Sequence, residues 1–453
     1  METSDKTAPL TPEEGGAPGV ASALTAGLGR ARADGTVTML VGTLIAGLAA
    51  YVWQAAGTRT LGNVKFAPVA TIWTLSFLVS TVLLSPIEQF ATRTMSAGVD
   101  GRIRLARATP AIVRILIGAM VLLSAGCFLA RGKFFYGQDG YSLVCAALVI
   151  CFGLLTYVRG VAAGERDFRL YGRLTGLDGV SRLVLGLIVL AVGGSALAFS
   201  WTIPVCALVA LFWLKRAPRR TRAHEPGGSD GAPIRMFMAT MVGGTAASQV
   251  ILAGGPLLLA LIGAGAHAVT VLFVAQTAGR AALLLALPLW ARTLPTLTGI
   301  AVRNEHPRLG RLAEVISASS FVLAACASVG AAVVGPPVLA ALFGAGSRPP
   351  AFVAAAVGAG TALAVGNLGL NQLLVAALRT HLVTISWWAA LIVGLLWVAV
   401  GPGSELDRVA AAFVLGEAFA MIALALSSSP SRLPERIRVA ARRLTGGDGS
   451  GTY

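Results

Sequence analysis

The sequence has few charged residues for its length: Asp, Glu, Lys and Arg together account for 12% of 453 residues. Soluble domains carry roughly a quarter charged residues, so this composition excludes an ordinary soluble fold. Hydrophobic residues make up 56% of the chain, and the mean hydropathy is +0.77. We therefore expect most of the chain to lie within a membrane.

Residues that perform catalysis or bind metals are also scarce. The 4 histidines are isolated from one another, and no pair of the 5 cysteines has metal-site spacing, so we expect the cysteines to be small core residues. No glycine-rich phosphate loop ending in Lys and Ser or Thr occurs, which argues against ATP hydrolysis. The sequence predicts no enzyme, no metal and no cofactor. A polar leader precedes the first apolar run, near Val37, so we expect no cleavable signal peptide.

Long apolar runs make up most of the remaining sequence. A hydrocarbon core of ~30 Å requires about twenty apolar residues for each helix that crosses it. The runs predict an all-α, polytopic membrane protein of about twelve transmembrane helices, at 37–57, 67–90, 109–130, 143–163, 177–197, 199–214, 236–263, 267–291, 312–335, 351–378, 382–401 and 407–427.

The formal net charge of +16 comes from Arg residues in short clusters between the apolar runs. This pattern is typical of the positive-inside rule and not of one basic face for nucleic acid, so we expect no nucleic-acid partner. With a cytoplasmic N-terminus, the cytoplasmic segments hold most of the basic residues. The segments on the other side hold only Arg59, Lys65, Arg131, Lys133, Arg348 and Arg408. We therefore expect both termini to be cytoplasmic.

The longest polar segment between helices divides six predicted helices from six. The predicted organisation is a leader that is partly disordered or an interfacial helix (1–36), a first lobe (37–214), a cytoplasmic linker (215–235), a second lobe (236–427) and a basic cytoplasmic tail (428–453). The lobes resemble each other, since Leu61-Gly62 before the second helix corresponds to Ile262-Gly263 before the eighth. Two pseudo-symmetric six-helix lobes imply a central cavity between them.

Two stretches resemble a known family. One runs from Arg59-Thr60-Leu61-Gly62-Asn63 through Trp73 to Pro86-Ile87-Glu88-Gln89, and the other contains Arg159-Gly160, Gly164, Phe168-Arg169 and Arg182-Leu183. They resemble the polysaccharide and oligosaccharide-lipid flippases of the multidrug/oligosaccharidyl-lipid/polysaccharide (MOP) exporter superfamily. The similarity is greatest to the actinobacterial-type branch, in which Pro-Leu-Glu-Gln ends the second helix.

The resemblance implies two inverted V-shaped lobes that alternate access around the cavity. It implies a secondary-active flippase of the bacterial plasma membrane that moves undecaprenyl-linked oligosaccharide or polysaccharide repeat units from the inner to the outer leaflet. The larger peptidoglycan-precursor flippases have two further C-terminal helices, which makes lipid II a less expected substrate. The expected partners are the lipid-linked sugar and membrane lipid, with a polysaccharide polymerase or glycosyltransferase as a further candidate, and we expect a monomer.

Two other functional classes compete with the flippase. The alternative is a multidrug or metabolite exporter with a similar twelve-helix architecture. A membrane-embedded glycosyltransferase or ligase would need sizeable outer loops, and the predicted outer loops are short. A soluble or nucleic-acid-binding function is excluded by the composition.

Ionisable residues inside predicted helices are costly, so each should face a cavity or a partner. Arg280 could bind a pyrophosphate through its guanidinium fork, or pair with a carboxylate across the lobe interface. Arg182 is expected to pair with Asp178, four residues earlier. Glu88 could be a gate partner, a coupling site or a helix-end charge. Glu417 has no basic neighbour at helical spacing and could carry a proton or be a neutral packing residue.

The complete set of candidate site residues follows from these arguments. Amide and aromatic side chains could meet sugar hydroxyls or could bond one helix to another. The substrate-binding candidates are Arg280, Gln276, Glu88, Gln249, Asn367, Asn371, Tyr51 and Gln54. The ion-coupling candidates are Glu417 and Glu88, and the cytoplasmic gate candidates are Arg93, Arg159 and Arg292.

Overall fold

The computed structural model describes residues 35–96, 99–216, 231–303 and 306–428. This part of the chain is 91% helical and has no strands, which confirms the predicted all-α fold. The helices are α1 (Thr36–Leu78), α2 (Ser85–Met95), α3 (Val99–Leu129), α4 (Arg131–Phe134), α5 (Gly140–Gly164), α6 (Phe168–Ala191), α7 (Ala196–Cys206), α8 (Gly231–Ala253), α9 (Gly255–Ile262), α10 (Ala266–Val302), α11 (His306–Phe343), α12 (Ala351–Ala376), α13 (Thr380–Val400) and α14 (Glu405–Ser428). A π-helical segment (Val79–Leu84) joins α1 to α2, and 3₁₀ segments follow α7 (Ala207–Arg216) and α11 (Ala345–Ser347).

Ten helical segments of the described chain are long and apolar enough to cross a membrane. The first, Thr36–Met95, has 60 residues, which at 1.5 Å per residue is about 90 Å and enough for two crossings. It changes direction at Gly62 (φ 73°, ψ 161°), a conformation open to glycine because it has no Cβ. The 37-residue helix α10 is also longer than the about twenty residues that one crossing needs. The described helices are therefore long enough for the twelve crossings that the sequence predicts.

We divide the helices into a first half, α1–α7, and a second half, α8–α14, although the start of α8 also packs on the first half, where the ring centroids of Phe90 and Phe237 are 5.9 Å apart. In the first half α1 packs most extensively on α6, and α5 packs on α2 and α3. In the second half α12 packs on α11, α14 and α10. Among the described residues, the most extensive contact between the halves joins α1 to α10, and it includes the rings of Phe66 and Phe273, whose centroids are 6.0 Å apart.

Small residues allow helices within a half to approach closely, as expected where lipid provides no hydrophobic force between them. A Cβ atom on Gly42 of α1 would lie only 2.1 Å from the carbonyl oxygen of Gly172 in α6. Gly62 and Gly263, at corresponding positions of the two halves, both have positive φ (73° and 88°), but their ψ angles differ (161° and 18°). The two turns therefore have different backbone conformations.

Several helices extend beyond their predicted ends. Helix α3 begins at Val99 and not near 109, α6 begins at Phe168 and not near 177, and α10 continues to Val302 instead of ending near 291. Hydropathy detects only the part of a helix that lies in hydrocarbon, whereas backbone hydrogen bonds continue into polar turns. The leader before residue 35, the linker residues 217–230 and the tail after residue 428 lie outside the described residues.

The cysteines are mostly interior, as predicted. Cys127, Cys145 and Cys206 are buried and Cys151 is partly buried, and the sulfurs of Cys127 and Cys145 lie 3.1 Å apart. Cys326 is exposed, so the prediction of a core residue is wrong there. An apolar run cannot reveal which of its helical faces points away from the protein.

Loops and helix ends gather at the two ends of the bundle, which we call the Asn63 face and the linker face. The Asn63 face carries residues 59–66, 131–139, 263–267 and 344–350, and Lys133 there donates to the carbonyl oxygen of Leu261 over 2.8 Å. The linker face carries residues 96, 99, 164–168 and 376–380 and the described residues on either side of 217–230. Arg102 and Glu165 form an ion pair on that face.

Candidate functional site

Arg280 lies at the contact between the two halves. It is in α10, roughly 20 Å along the helix from its start at the Asn63 face. Its guanidinium carbon is 4.7 Å from the centroid of the Phe77 ring in α1, a cation–π contact across the halves. The Nε and Nη2 atoms are buried and have no hydrogen-bond partner in the described structure, and no described carboxylate pairs with Arg280. Of the two roles that the sequence left open for Arg280, the pair with a carboxylate is therefore not seen among the described residues.

Other polar side chains lie on the same two helices as Arg280 and Phe77. The Tyr51 hydroxyl donates to the carbonyl oxygen of Thr277 over 2.8 Å and so joins α1 to α10. Gln276 is buried, and neither side-chain polar atom has a partner in the described structure. Gln54 is also buried, and its Oε1 atom has no described partner. We name Tyr51, Phe77, Gln276, Thr277 and Arg280 the interface site.

Four charged side chains in the interior of the first half are paired with one another. The carboxylate of Glu88 is 3.1 Å from Nη2 of Arg159 in α5 and accepts a hydrogen bond of 2.8 Å from the hydroxyl of Tyr171 in α6. Asp178 and Arg182 form the predicted pair on α6, which is confirmed. Arg182 also stacks 5.2 Å from the Trp73 ring. The net charge of these four side chains is zero, so they present neither excess positive nor excess negative charge to a substrate.

Removing one partner of the Glu88–Arg159 pair should destabilise the protein more than removing both. Both side chains are less than one quarter exposed (18% and 24%), and loss of one partner leaves an uncompensated charge in the interior. We expect Arg159→Leu to lower the free energy of unfolding by about 3 kcal/mol, and Glu88→Leu with Arg159→Leu to recover much of that loss. Melting of the purified variants in detergent measures the effect. Equal melting temperatures for the single and double variants would show that the two charges do not depend on each other.

Glu417 in α14 is buried with an exposed fraction of 1%. Its Oε2 atom accepts a hydrogen bond of 2.8 Å from the side-chain amide of Asn367 in α12, and the same amide bonds to the Glu417 carbonyl oxygen over 2.9 Å. No described Arg, Lys or His pairs with this carboxyl group. Two candidates that the sequence named separately therefore form one buried pair within the second half.

The remaining candidates lie apart from the interface site. Asn371 accepts a hydrogen bond of 3.2 Å from the indole nitrogen of Trp387, which joins α12 to α13. Gln249 is partly buried in α8, and Arg93 is exposed near the end of α2. The side chain of Arg292 lies outside the described part of the structure. Arg159 has its partners in its own half, as given above.

The sequence did not indicate the hydrogen-bonded contact that closes the Asn63 face. The side-chain amide of Asn63 donates to the carbonyl oxygen of Gly346 over 2.6 Å, and its Oδ1 atom accepts from Ser347 over 2.9 Å. The Asn63 carbonyl oxygen accepts from Thr270 over 2.7 Å, and Arg59 donates to the carbonyl oxygen of Leu342 over 2.9 Å. We name this contact the Asn63 latch. The one sequence signal for the Asn63 latch was the Leu61-Gly62-Asn63 stretch. A polar residue that follows a glycine with positive φ is typical of a tight turn with a defined conformation.

No protein-family model matches the chain, and no curated protein sequence matches it. Solved structures do match. A multidrug resistance MATE family transporter of the MOP superfamily in an inward-facing conformation has a TM-score of 0.68 and 12% identity, over 89% of this chain and 96% of that one. The lipid II flippase MurJ in an inward closed conformation has a TM-score of 0.63 and 11% identity, over 92% and 94%. The Vibrio cholerae MATE transporter VcmN in the bent form has a TM-score of 0.53 and 13% identity, over 91% and 98%.

These matches span nearly the whole length of each chain, and the matched proteins are transporters and a flippase, not enzymes. At such low identity they establish the fold and leave the substrate open. The multi-pass arrangement of apolar helices agrees with them. The chain therefore has a multi-pass arrangement of apolar helices and shares the fold of these MATE transporters and of MurJ.

Proposed function

We propose that the chain is a secondary-active flippase that moves undecaprenyl-linked oligosaccharide or polysaccharide repeat units from the inner to the outer leaflet by alternating access. The observation that carries this proposal is Arg280, an uncompensated guanidinium at the contact between the two halves. A guanidinium binds phosphate oxygens through a fork of donors. In a low-dielectric site where no described carboxylate competes for it, its attraction to an anion is stronger than in water.

Arg280 would hold the phosphate groups of the substrate between the halves, with Tyr51 and Gln276 beside them as donors to sugar or phosphate oxygens. The polyprenyl tail would remain in the bilayer, because transferring its apolar surface into a polar site would not lower the free energy. The Asn63 latch closes one end of the contact between the halves. We take this end as the outer one, since the basic residues concentrate at the linker face. Under alternating access the head group would then enter from the linker face.

A multidrug exporter is the competing function, because MATE transporters share the fold. Export of a cationic drug requires an anionic or aromatic site that is free of positive charge. Arg280 places a positive charge among the described groups of the interface site, and the carboxylates of Glu88 and Asp178 are paired with Arg159 and Arg182. This arrangement favours an anionic substrate over a cationic one.

Glu417 is the proposed coupling residue. A carboxyl group in a low-dielectric interior without a cationic partner can exchange a proton as the conformation changes. We expect Glu417→Gln to keep the acceptor for Asn367 and hence the fold, but to make transport insensitive to an imposed pH gradient. The measurement is the transport rate in proteoliposomes at equal and unequal internal pH. Acceleration of the variant by the gradient to the same degree as the parent would exclude Glu417 as the coupling residue.

The function itself is tested by translocation of a fluorescent undecaprenyl-diphosphate-linked sugar in proteoliposomes that contain the purified protein. We expect protein-dependent loss of the probe from one leaflet, driven by a proton, sodium or voltage gradient. A cationic dye serves as the competing substrate in parallel vesicles. If only the dye moves, under every gradient, the protein is a multidrug exporter and not a flippase.

A further inference from the structure

A separate cleft of about 540 Å³ lies in the second half, at the Asn63 face. Its volume is within the range typical of small-molecule sites. It is formed by the start of α10, the middle of α11, the turn before α12 and the start of α14. Its lining residues are His267, Val271, Ala332, Val333, Pro336, Pro337, Arg348, Pro349, Pro350, Ala351 and Leu406.

The cleft contains backbone acceptors that the helix cannot satisfy. Pro336 and Pro337 lie inside α11 and have no backbone N–H, so the carbonyl groups four residues earlier lose their intrahelical donors. Those carbonyls belong to Ala332 and Val333, which themselves line the cleft. Unsatisfied carbonyls at this depth persist where they line a cavity whose occupant can donate hydrogen bonds. Two adjacent free acceptors suit the hydroxyl groups of a sugar.

Two donors complete the lining. The Asn63 amide nitrogen lies 3.5 Å from Nδ1 of His267. An amide nitrogen only donates, so a hydrogen bond here makes Nδ1 the acceptor and places the ring proton on Nε2. The guanidinium of Arg348 is exposed, and no described carboxylate is within ion-pair distance of it. Asp407, beside the lining residue Leu406, accepts instead from the Ser404 hydroxyl over 2.7 Å. A charged donor and a neutral donor in one cleft suit a phosphate group.

We propose that this cleft binds a glycosyl phosphate, with the phosphate on Arg348 and His267 and sugar hydroxyls on the carbonyls of Ala332 and Val333. Apolar walls from Val271, Pro336 and Pro337 fit the faces of the sugar ring. The inference rests on the proposed function only for its location at the outer leaflet. There the cleft would hold the head group of the delivered lipid after release from the interface site.

The test measures binding to the purified full-length protein carrying Arg280→Gln, so that the interface site makes no contribution. The probes are radiolabelled glucose-1-phosphate, inorganic phosphate and polyprenyl-phosphate glucose, measured by scintillation proximity. We expect glucose-1-phosphate to bind more tightly than inorganic phosphate. Adding Arg348→Gln should weaken both by about tenfold, the loss expected for one charge-assisted hydrogen bond. Adding Lys65→Gln, on the same face but outside the cleft, should change neither.

A second variant separates the sugar contacts from the phosphate contacts. Pro336→Ala with Pro337→Ala supplies the missing N–H donors within α11, so the two carbonyls no longer need a ligand. We expect this variant to fold and to lose the preference for glucose-1-phosphate over inorganic phosphate. An unchanged preference, or unchanged affinity in Arg348→Gln, would overturn the proposal.

The lipid-linked probe distinguishes the source of the ligand. Tighter, Arg348-dependent binding of polyprenyl-phosphate glucose than of glucose-1-phosphate identifies a lipid head group, and equal affinities identify a soluble sugar phosphate. If the ligand binds in the cleft but the parent protein translocates nothing, the cleft proposal stands and the proposed function is contradicted. If the parent translocates the substrate but nothing binds in the cleft, the proposed function stands and the cleft proposal is contradicted.

Discussion

Replacing Arg280 with Gln is expected to slow translocation of the diphosphate-linked sugar by about 10- to 100-fold, because a hydrogen bond to a charged group contributes roughly 1.5–3 kcal/mol. Arg280→Lys should recover part of the rate, since an ammonium group keeps the charge but loses the planar fork. Proteoliposome assays at matched protein density measure both rates. Arg114→Gln is the matched control, because Arg114 is an exposed residue within α3.

The same substitution should leave the stability unchanged or increase it. Arg280 has buried nitrogens without hydrogen-bond partners in the described structure, so its removal relieves a desolvation cost and leaves no partner unpaired. A melting temperature equal to or above that of the parent, together with lost translocation, is the pattern of a residue retained for function. A large fall in melting temperature would instead assign Arg280 a structural role.

Locking the Asn63 latch is expected to stop transport almost completely. A Cβ atom at Gly346 would lie 3.7 Å from the side-chain Cγ of Asn63, close to the spacing that a disulfide requires. In a background without the native cysteines, Asn63→Cys with Gly346→Cys should crosslink on oxidation and bring transport to the protein-free rate. Reduction should restore the rate, because alternating access requires this face to open.

Single variants provide the control for the crosslink. Asn63→Cys alone and Gly346→Cys alone cannot form the intramolecular disulfide, so oxidation should leave their rates unchanged. The crosslinked fraction is read by gel mobility after protease cleavage in the linker between the halves. A fully crosslinked protein that transports at the parent rate would show that the Asn63 face does not open during transport.

The membrane fold could be predicted well because the hydropathy and charge of each helix can be read from its own stretch of sequence. Twelve crossings follow from twelve apolar runs, and the Asp178–Arg182 pair follows from i, i+4 spacing on one helix. The pairing of Glu88 with Arg159 could not be predicted in this way, since the two residues lie on different helices 71 positions apart. The Asn367–Glu417 bond is a similar case, with both residues named as candidates but not as partners.

The candidate site was predicted in outline only. Arg280 was identified because a charge inside an apolar run needs an explanation. Whether Arg280 has a carboxylate partner depends on how α1 and α10 lie relative to each other. The spacing of apolar residues within one helix does not predict that arrangement. The Asn63 latch was missed because its acceptors at Ala341, Leu342 and Gly346 are backbone carbonyls. Such groups are present at every position and give no sequence signal.

Photo-crosslinking of the substrate tests the central claim, an anion site between the halves, most directly. A diphosphate-linked sugar with a photoreactive group on its first sugar is bound to the purified protein, irradiated and mapped by mass spectrometry. We predict labelled peptides from α10 around residues 276–281 and from α1 around residues 51–54, with labelling reduced in Arg280→Gln. Labelling confined to outward-facing positions such as Leu122 and Val192, which are both 76% exposed, would contradict the account.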